Sequence, residues 1–349
     1  MTHHLVALPG DGIGPEVVDA TLEVIQHLAT SSDLDLSITS HLIGGAAIDA
    51  SGDPLPKTTL DACINSAGVL LGAVGGPKWD DPAASVRPEQ GLLRLRRGME
   101  VFANLRPTRM EPALADASPL KPERLEGVDL LVVRELTGGI YFGKKSEGDV
   151  EASDLCTYHR DEIERVVRLA GDLARQRRGH LTLVDKANVL ATSRLWRAVT
   201  TAIVEDEYAD LTFDTMLVDA AAMTLVTNPA FFDVMVTENM FGDILTDETA
   251  AVAGSLGVLP SASLSAAGPG LYEPIHGSAP DIAGQNKANP MGTMLSAALW
   301  LERDVARADL ADSLRGAISG CIARGDTTAD IGGKLGTKEV ARAVVAQLG

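Results

Sequence analysis

The alternation of short apolar runs with longer amphipathic stretches predicts an α/β fold on a largely parallel sheet. Strand-like runs stand at residues 5–8, 69–71, 101–105, 130–133, 181–184 and 234–236. Helical spacing lies between them and dominates from Met291 onward. The composition agrees: 45% of residues are hydrophobic and 22% charged, ordinary for a globular chain of 349 residues. Aromatics are only 4%, so the core must be built from Leu, Val, Ile and Ala.

In chain order, residues 5–8 read as a buried strand, and Pro15 then opens a helix whose apolar face is Val18, Leu22, Ile25 and Leu28. The run at 101–105 reads as a strand that Arg106 ends before Pro107, and Arg134 follows the strand at 130–133. Ile163, Val166, Val167, Ala170 and Leu173 mark one helix face, and Lys186 follows the strand at 181–184. Strand ends in α/β folds are where ligands bind, which draws attention to Arg106, Arg134 and Lys186.

The net charge of −18 makes nucleic acid and anionic lipid poor partners. Three widely spaced cysteines, Cys63, Cys156 and Cys321, suggest neither a zinc site nor a disulfide framework and fit a reducing cytoplasm. The first residues lack the features of a secretory signal, and no apolar run reaches the roughly 18 residues of a membrane span.

Among the motifs, Gly10-Asp-Gly-Ile-Gly14 has spacing GxGxG rather than GxGxxG, so it reads as a tight strand-to-helix turn. The GGIYFGK segment at 138–144 lacks the Ser or Thr that a phosphate loop needs after its Lys. Residues 87–109 hold six Arg against Glu89 and Glu100, a local reversal of sign suited to carboxylate binding or to an exposed helix face. Asp243 and Asp247, at i and i+4, place two carboxylates on one helical face; a divalent cation would relieve their repulsion, though two solvated acids would read the same. Asp219, after the run 211–218, could supply a third. A Lys such as Lys186 can serve as a base when its pKa is lowered, but a surface Lys is commoner. The loop from His276 to Asn289 is punctuated by Gly and Pro and leads into a helix, so it could wrap a nucleotide, with an Asp accepting bonds from ribose hydroxyls and repelling a 2′-phosphate.

Taken together and in this order, LPGDGIGPE (8–16), GGPKWD (75–80), FANLRP (102–107), VRELTGGIYFG (133–143), DKANV (185–189), the segment 239–247 and HGSAPDIAG (276–284) resemble the β-decarboxylating dehydrogenases. That family includes isopropylmalate, isocitrate, homoisocitrate and tartrate/malate enzymes. The resemblance implies a two-lobed fold with a largely parallel central sheet, distinct from the Rossmann fold. One lobe, discontinuous and cofactor-binding, would join residues 1–101 to 254–349; the other, 102–253, would carry substrate and metal residues and build a dimer contact, with a cleft closing on substrate.

It also implies roles. Arg96, Arg106 and Arg134 would hold the substrate carboxylates, and Asp219, Asp243 and Asp247 a Mg²⁺ or Mn²⁺ ion. Lys186 would take the hydroxyl proton and Tyr141 would protonate the enolate. Lys186 and Asp219 would come from the second subunit of a homodimer with shared active sites, Asp219 lying beside the substrate. NAD would lie along Gly75, Gly76, Pro77, Lys78, Asn188 and Glu273, and along His276, Gly277, Ser278, Ala279, Pro280, Asp281, Ile282 and Asn289. Specificity would rest on Glu89, Leu92 and Leu93: the two leucines offer an apolar wall suited to an isopropyl group, and isocitrate-type enzymes place Ser and Asn in this segment. The expected activity is therefore NAD-linked oxidative decarboxylation of a small branched hydroxy-dicarboxylate, 3-isopropylmalate foremost. A malate or tartrate enzyme would share every catalytic residue, and a non-catalytic nucleotide-binding scaffold is the remaining alternative. Glu238 and the pair Lys144 and Lys145 have no part in this reading.

Overall fold

The computed structural model describes residues 2–79, 81 and 84–349. The chain divides into two compact units, Met1–Val101 with Ser255–Gly349, and Phe102–Gly254.

The first unit begins with β1 (His3–Gly10), α1 (Gly14–Ser31), β2 (Leu36–Ser40), α2 (Gly44–Ser51), α3 (Lys57–Ile64), β3 (Gly68–Ala73) and α4 (Pro88–Gly98). β1 pairs in parallel with β2 and β3. Val6, Leu8, Val69 and Leu71 are buried, as continuous apolar strands covered on both faces must be. α1 turns Val18, Ile25 and Leu28 inward and carries Pro15 in its first turn, where the missing N–H costs nothing.

The second unit follows in sequence: β4 (Ala103–Arg109), β5 (Asp129–Glu135), β6 (Lys145–Ser146), β7 (Ser153–Asp154), α5 (Arg160–Arg175), β8 (His180–Asp185), α6 (Ala191–Glu207), β9 (Thr212–Leu217), α7 (Val218–Thr227), β10 (Val234–Thr237) and α8 (Asn239–Ala253). Its strands run in the order β4, β5, β10, β8, β9. β5, β10, β8 and β9 are parallel, and β4 is antiparallel to β5. Val132, Val184, Phe232, Met235 and Leu245 pack in one core between sheet and helices.

The chain then returns to the first unit with β11 (Pro260–Leu264), β12 (Leu271–Pro274), α9 (Met291–Arg303), α10 (Ala308–Arg324) and α11 (Thr337–Leu348). β12 extends the sheet in parallel beside β3, and β11 pairs antiparallel with β12. Trp300 of α9 is fully buried, and its indole N–H donates to Ala67 O at 2.9 Å.

The largely parallel sheet and the helical C-terminal third hold. The strand at 101–105 is displaced: it runs from Ala103 to Arg109, through Arg106 and Pro107. Proline removes one donor, but its fixed φ is compatible with an extended chain. Arg106 therefore lies within a strand rather than at its end, and Arg134 is inside β5 rather than after it. The antiparallel strands β4 and β11 follow from pairing partners that apolar periodicity does not name.

Candidate active site

In the second unit, α8 carries Asp243 and Asp247 on one face, and β5 points Arg134 at it. Arg134 is 6% exposed. Its Nε donates to Asn239 Oδ1 at 2.9 Å, and its Nη1 donates to Asp243 Oδ1. Gly242 makes this approach possible, because a Cβ there would lie 2.6 Å from Arg134 Cγ. The Tyr141 hydroxyl donates to the other Asp243 oxygen at 2.8 Å, and the Arg134 guanidinium stands 5.9 Å from the Tyr141 ring centroid. Burial, and next the bond to Asp243, push the Tyr141 phenol up to about 12, so it keeps its proton at neutral pH. One turn along α8, Asp247 lies 3.5 Å from Arg106 Nη1, and Arg106 Nε donates to Asn104 Oδ1 at 3.0 Å.

A buried network stands behind this face. Glu238 is the N-cap of α8, accepting from Phe241 N at 2.7 Å. The Tyr158 hydroxyl donates to Glu238 at 3.2 Å and accepts from Asn239 N at 3.0 Å. Glu135, fully buried, accepts from Thr137 N at 2.7 Å and Gly138 N at 2.8 Å, shaping the turn that leads to Tyr141. Burial raises the carboxyls of both Glu135 and Glu238. Sequence reasoning missed Glu135 and Tyr158 and found no part for Glu238. A Glu directly before a helix start was the one available signal.

Lys186 follows β8, and its Nζ donates to Asp219 Oδ1 at 2.6 Å in the first turn of α7. That bond is the main cause of the lowered Asp219 carboxyl. The Lys186 turn is locked from beneath: buried Asp185 accepts from Arg197 at 2.8 and 2.7 Å and from Ala187 N at 3.0 Å. Asn188 is exposed on the same turn. Asp243 and Asp247 offer hard oxygen donors, 40% and 75% exposed, of the kind Mg²⁺ or Mn²⁺ prefers. Among the described residues, no three His, Cys, Asp or Glu side chains of this one chain converge as a metal cage, so Asp219 does not join the pair within it.

In the first unit, Arg96 of α4 donates to Glu273 of β12 at 2.9 Å, so Glu273 holds this arginine. Arg96 Nε is buried with no partner among the described residues. On the same helix Leu92 is half-buried and Leu93 is 47% exposed. Gly75 has φ +104, and a Cβ there would lie 2.7 Å from Glu89 Oε1. Asp11 organises this region by accepting from Gly45, Ala46 and Gly75 N, each at 2.8 Å. Gly76 and Pro77 continue the loop; Lys78 pairs with Asp49 at 2.5 Å on the surface, and Asp80 of the same motif lies outside the described residues.

The loop at 276–289 lies against the start of α1. Ile13 N donates to Ser278 O at 2.8 Å, and a Cβ on Gly12 (φ +58) would lie 2.0 Å from that oxygen, so the glycine-rich turn is a packing device. Ala279 and Ile282 pack on the cluster of Ile13, Val17 and Ala288, while Pro280 and Asp281 face solvent. Gly277 has open space around it. The His276 ring is held below its usual range by burial; Nδ1 meets Gly277 O at 3.0 Å, and Nε2 has no partner among the described residues. Asn289 Oδ1 accepts from Met291 N, the first residue of α9, at 3.0 Å.

The isocitrate/isopropylmalate dehydrogenase family matches residues 4–344. The chain belongs to this family. It is 54% identical over 353 residues to a 3-isopropylmalate dehydrogenase of Anaeromyxobacter dehalogenans, covering 100% of both chains. To the 3-isopropylmalate dehydrogenase of Rhodopirellula baltica it is 51% identical, over 100% of this chain and 99% of the other. Among solved structures, isocitrate dehydrogenase from Methylococcus capsulatus superposes with a TM-score of 0.88 at 33% identity, over 99% of both chains. The family membership makes the protein an oxidoreductase acting on a small molecule and implies a nicotinamide cofactor and a divalent metal. Among the described residues, no helix is long and apolar enough to cross a membrane.

Proposed function

We propose that this enzyme oxidises and decarboxylates 3-isopropylmalate to 4-methyl-2-oxopentanoate and CO₂, the leucine-pathway reaction, with NAD and Mg²⁺ or Mn²⁺. The observation that carries the reading is Asp243, one carboxylate bound by both Arg134 and Tyr141 and one helical turn from Asp247. A carboxylate-binding fork, a protonated phenol and a pair of hard ligands thus share one surface.

Bound NAD would accept the hydride, and the metal would draw electron density from the substrate's hydroxyl and carboxylate oxygens. Arg106 and Arg134, with Arg96, hold the two carboxylates as planar forks. Asp243 and Asp247 are the metal residues of one copy. Asp219, beside Lys186, completes the cage from the second copy of a homodimer. Lys186 removes the hydroxyl proton as the carbinol carbon is oxidised. The C–C bond to the neighbouring carboxylate then breaks, releasing CO₂, and Tyr141 returns a proton to the carbon left behind. Leu92 and Leu93 meet the isopropyl group, each buried methylene contributing about 0.8 kcal/mol. Glu89 and Asn188, with the loop at 75–78, serve the nicotinamide end. Asp281 favours NAD by repelling a 2′-phosphate. The reading places the enzyme in the cytoplasm.

NADH absorbance tests it. With Mg²⁺ present, isopropylmalate should turn over well ahead of malate and tartrate, and chelation should abolish the signal. Faster turnover of malate, or none with isopropylmalate, would refute the assignment.

A further inference from the structure

Glu16, the last residue of the LPGDGIGPE segment, has no part in the chemistry above, yet it makes specific long-range bonds. Glu16, in the first turn of α1, uses one carboxylate oxygen to accept from Gly284 N and the other to accept from Asn286 N at 3.0 Å. Both amides belong to the far end of the loop that begins at His276. Asn286 sits at φ +55, in the left-handed region that Asn adopts more readily than most residues. Its side chain is held as well: Nδ2 donates to Glu339 at 2.9 Å and Oδ1 accepts from Lys338 N at 3.0 Å, both at the start of α11. Its carbonyl accepts from Thr337 N at 3.2 Å. The loop is thus gripped from α1 and from α11, while Asp281 at its tip faces solvent.

We infer that Glu16, acting through Gly284 and Asn286, is a positioning residue that presets the cofactor loop for the dinucleotide. The inference rests on the proposed role of residues 276–289 in holding NAD. A loop already in its bound shape loses less conformational freedom on binding, so the benefit appears in cofactor affinity and not in the chemical step. A charged acceptor taking two amide protons cannot be replaced by an amide, whose NH₂ would face a donor.

The test is NADH binding by fluorescence to the full-length protein, without any hydroxy acid, followed by steady-state kinetics. Glu16→Gln should weaken NADH binding about tenfold, or about 1.4 kcal/mol. The KM for NAD should rise in step, while kcat and the KM for the diacid stay within about twofold. Glu23→Gln, an exposed acid on the same helix, should match wild type. Glu339→Ala acts on the same loop from α11, should weaken NADH binding by about two- to threefold, and serves if Glu16→Gln does not fold. NADH affinity equal to wild type in the folded Glu16 and Glu339 variants overturns this inference alone. A fall in kcat with unchanged KM for NAD also overturns it, since that marks a structural role. Wild-type protein that binds no NADH overturns the functional reading, and this inference with it.

Discussion

Replacing Gly242 with alanine places a methyl group where Arg134 now lies. The added Cβ would stand 2.6 Å from Arg134 Cγ and 2.8 Å from its Cβ, well inside contact distance. These stem atoms lie beside the β5 backbone, so they cannot swing clear as a side-chain tip could. Gly242 is helical, and alanine by itself should favour the helix by about 1 kcal/mol. Overpacking a filled interior costs about 1–3 kcal/mol, so the net change in stability should be small, at most about 2 kcal/mol of loss. The effect on the site should be larger. A displaced Arg134 loses its bonds to Asn239 and Asp243, and with them the aim of a fork whose charged hydrogen bonds contribute about 1.5–3 kcal/mol each. That predicts a KM for the diacid raised about 10- to 100-fold, with the KM for NAD little changed. Steady-state kinetics beside a thermal melt read both numbers. A folded Gly242→Ala enzyme with wild-type KM for the diacid would refute the idea that Arg134 binds substrate from its present position.

Tyr141→Phe should lower kcat by about 10²–10⁴-fold with an unchanged circular dichroism spectrum, and retention of more than a tenth of wild-type kcat would remove this phenol from the proton-donor role. His276 is half-buried, and desolvation lowers its pKa from 6.5, so folding favours the neutral ring. Its contribution is complete above about pH 6.5 and is lost as pH falls. Melting temperature should therefore decline on the acid side of that value and decline less in His276→Asn; identical slopes would show that another group is responsible. Glu238→Ala removes the α8 cap and should cost about 1–2 kcal/mol of stability in denaturant titration, so an unaltered midpoint would deny the cap its weight.

The candidate site was legible wherever its geometry is local. Asp243 and Asp247 share a face because the helix repeats every 3.6 residues, and Lys186 stands after β8 because its apolar run ends there. Arg106 was placed less well, since Pro107 reads as a stop in sequence and is tolerated in the strand that forms. Glu273 was assigned to the cofactor on resemblance, and in the folded chain its carboxylate pairs with Arg96. Tyr158 went unnoticed because its partner Glu238 lies 80 residues away and only folding brings the two together; Glu135 and Asp185 accept from amides two or three residues on, which a lone acid at a strand end does not announce.

The amino-acid order alone determined the α/β class, the places of β1, β3, β5, β8 and β10 and the spacing of the two helical aspartates, because each depends on residues within a few positions of one another. Tertiary structure decided which arginine meets which acid, that Asp243 is shared by Arg134 and Tyr141, and that the glycine-rich turn is a seat for the loop at 276–289. The partners that meet at Asp243 are separated from it by 100 residues or more, Arg134 by 109 and Tyr141 by 102. No local periodicity encodes such a meeting; it exists only once buried strands and helices have set the backbone that carries both partners.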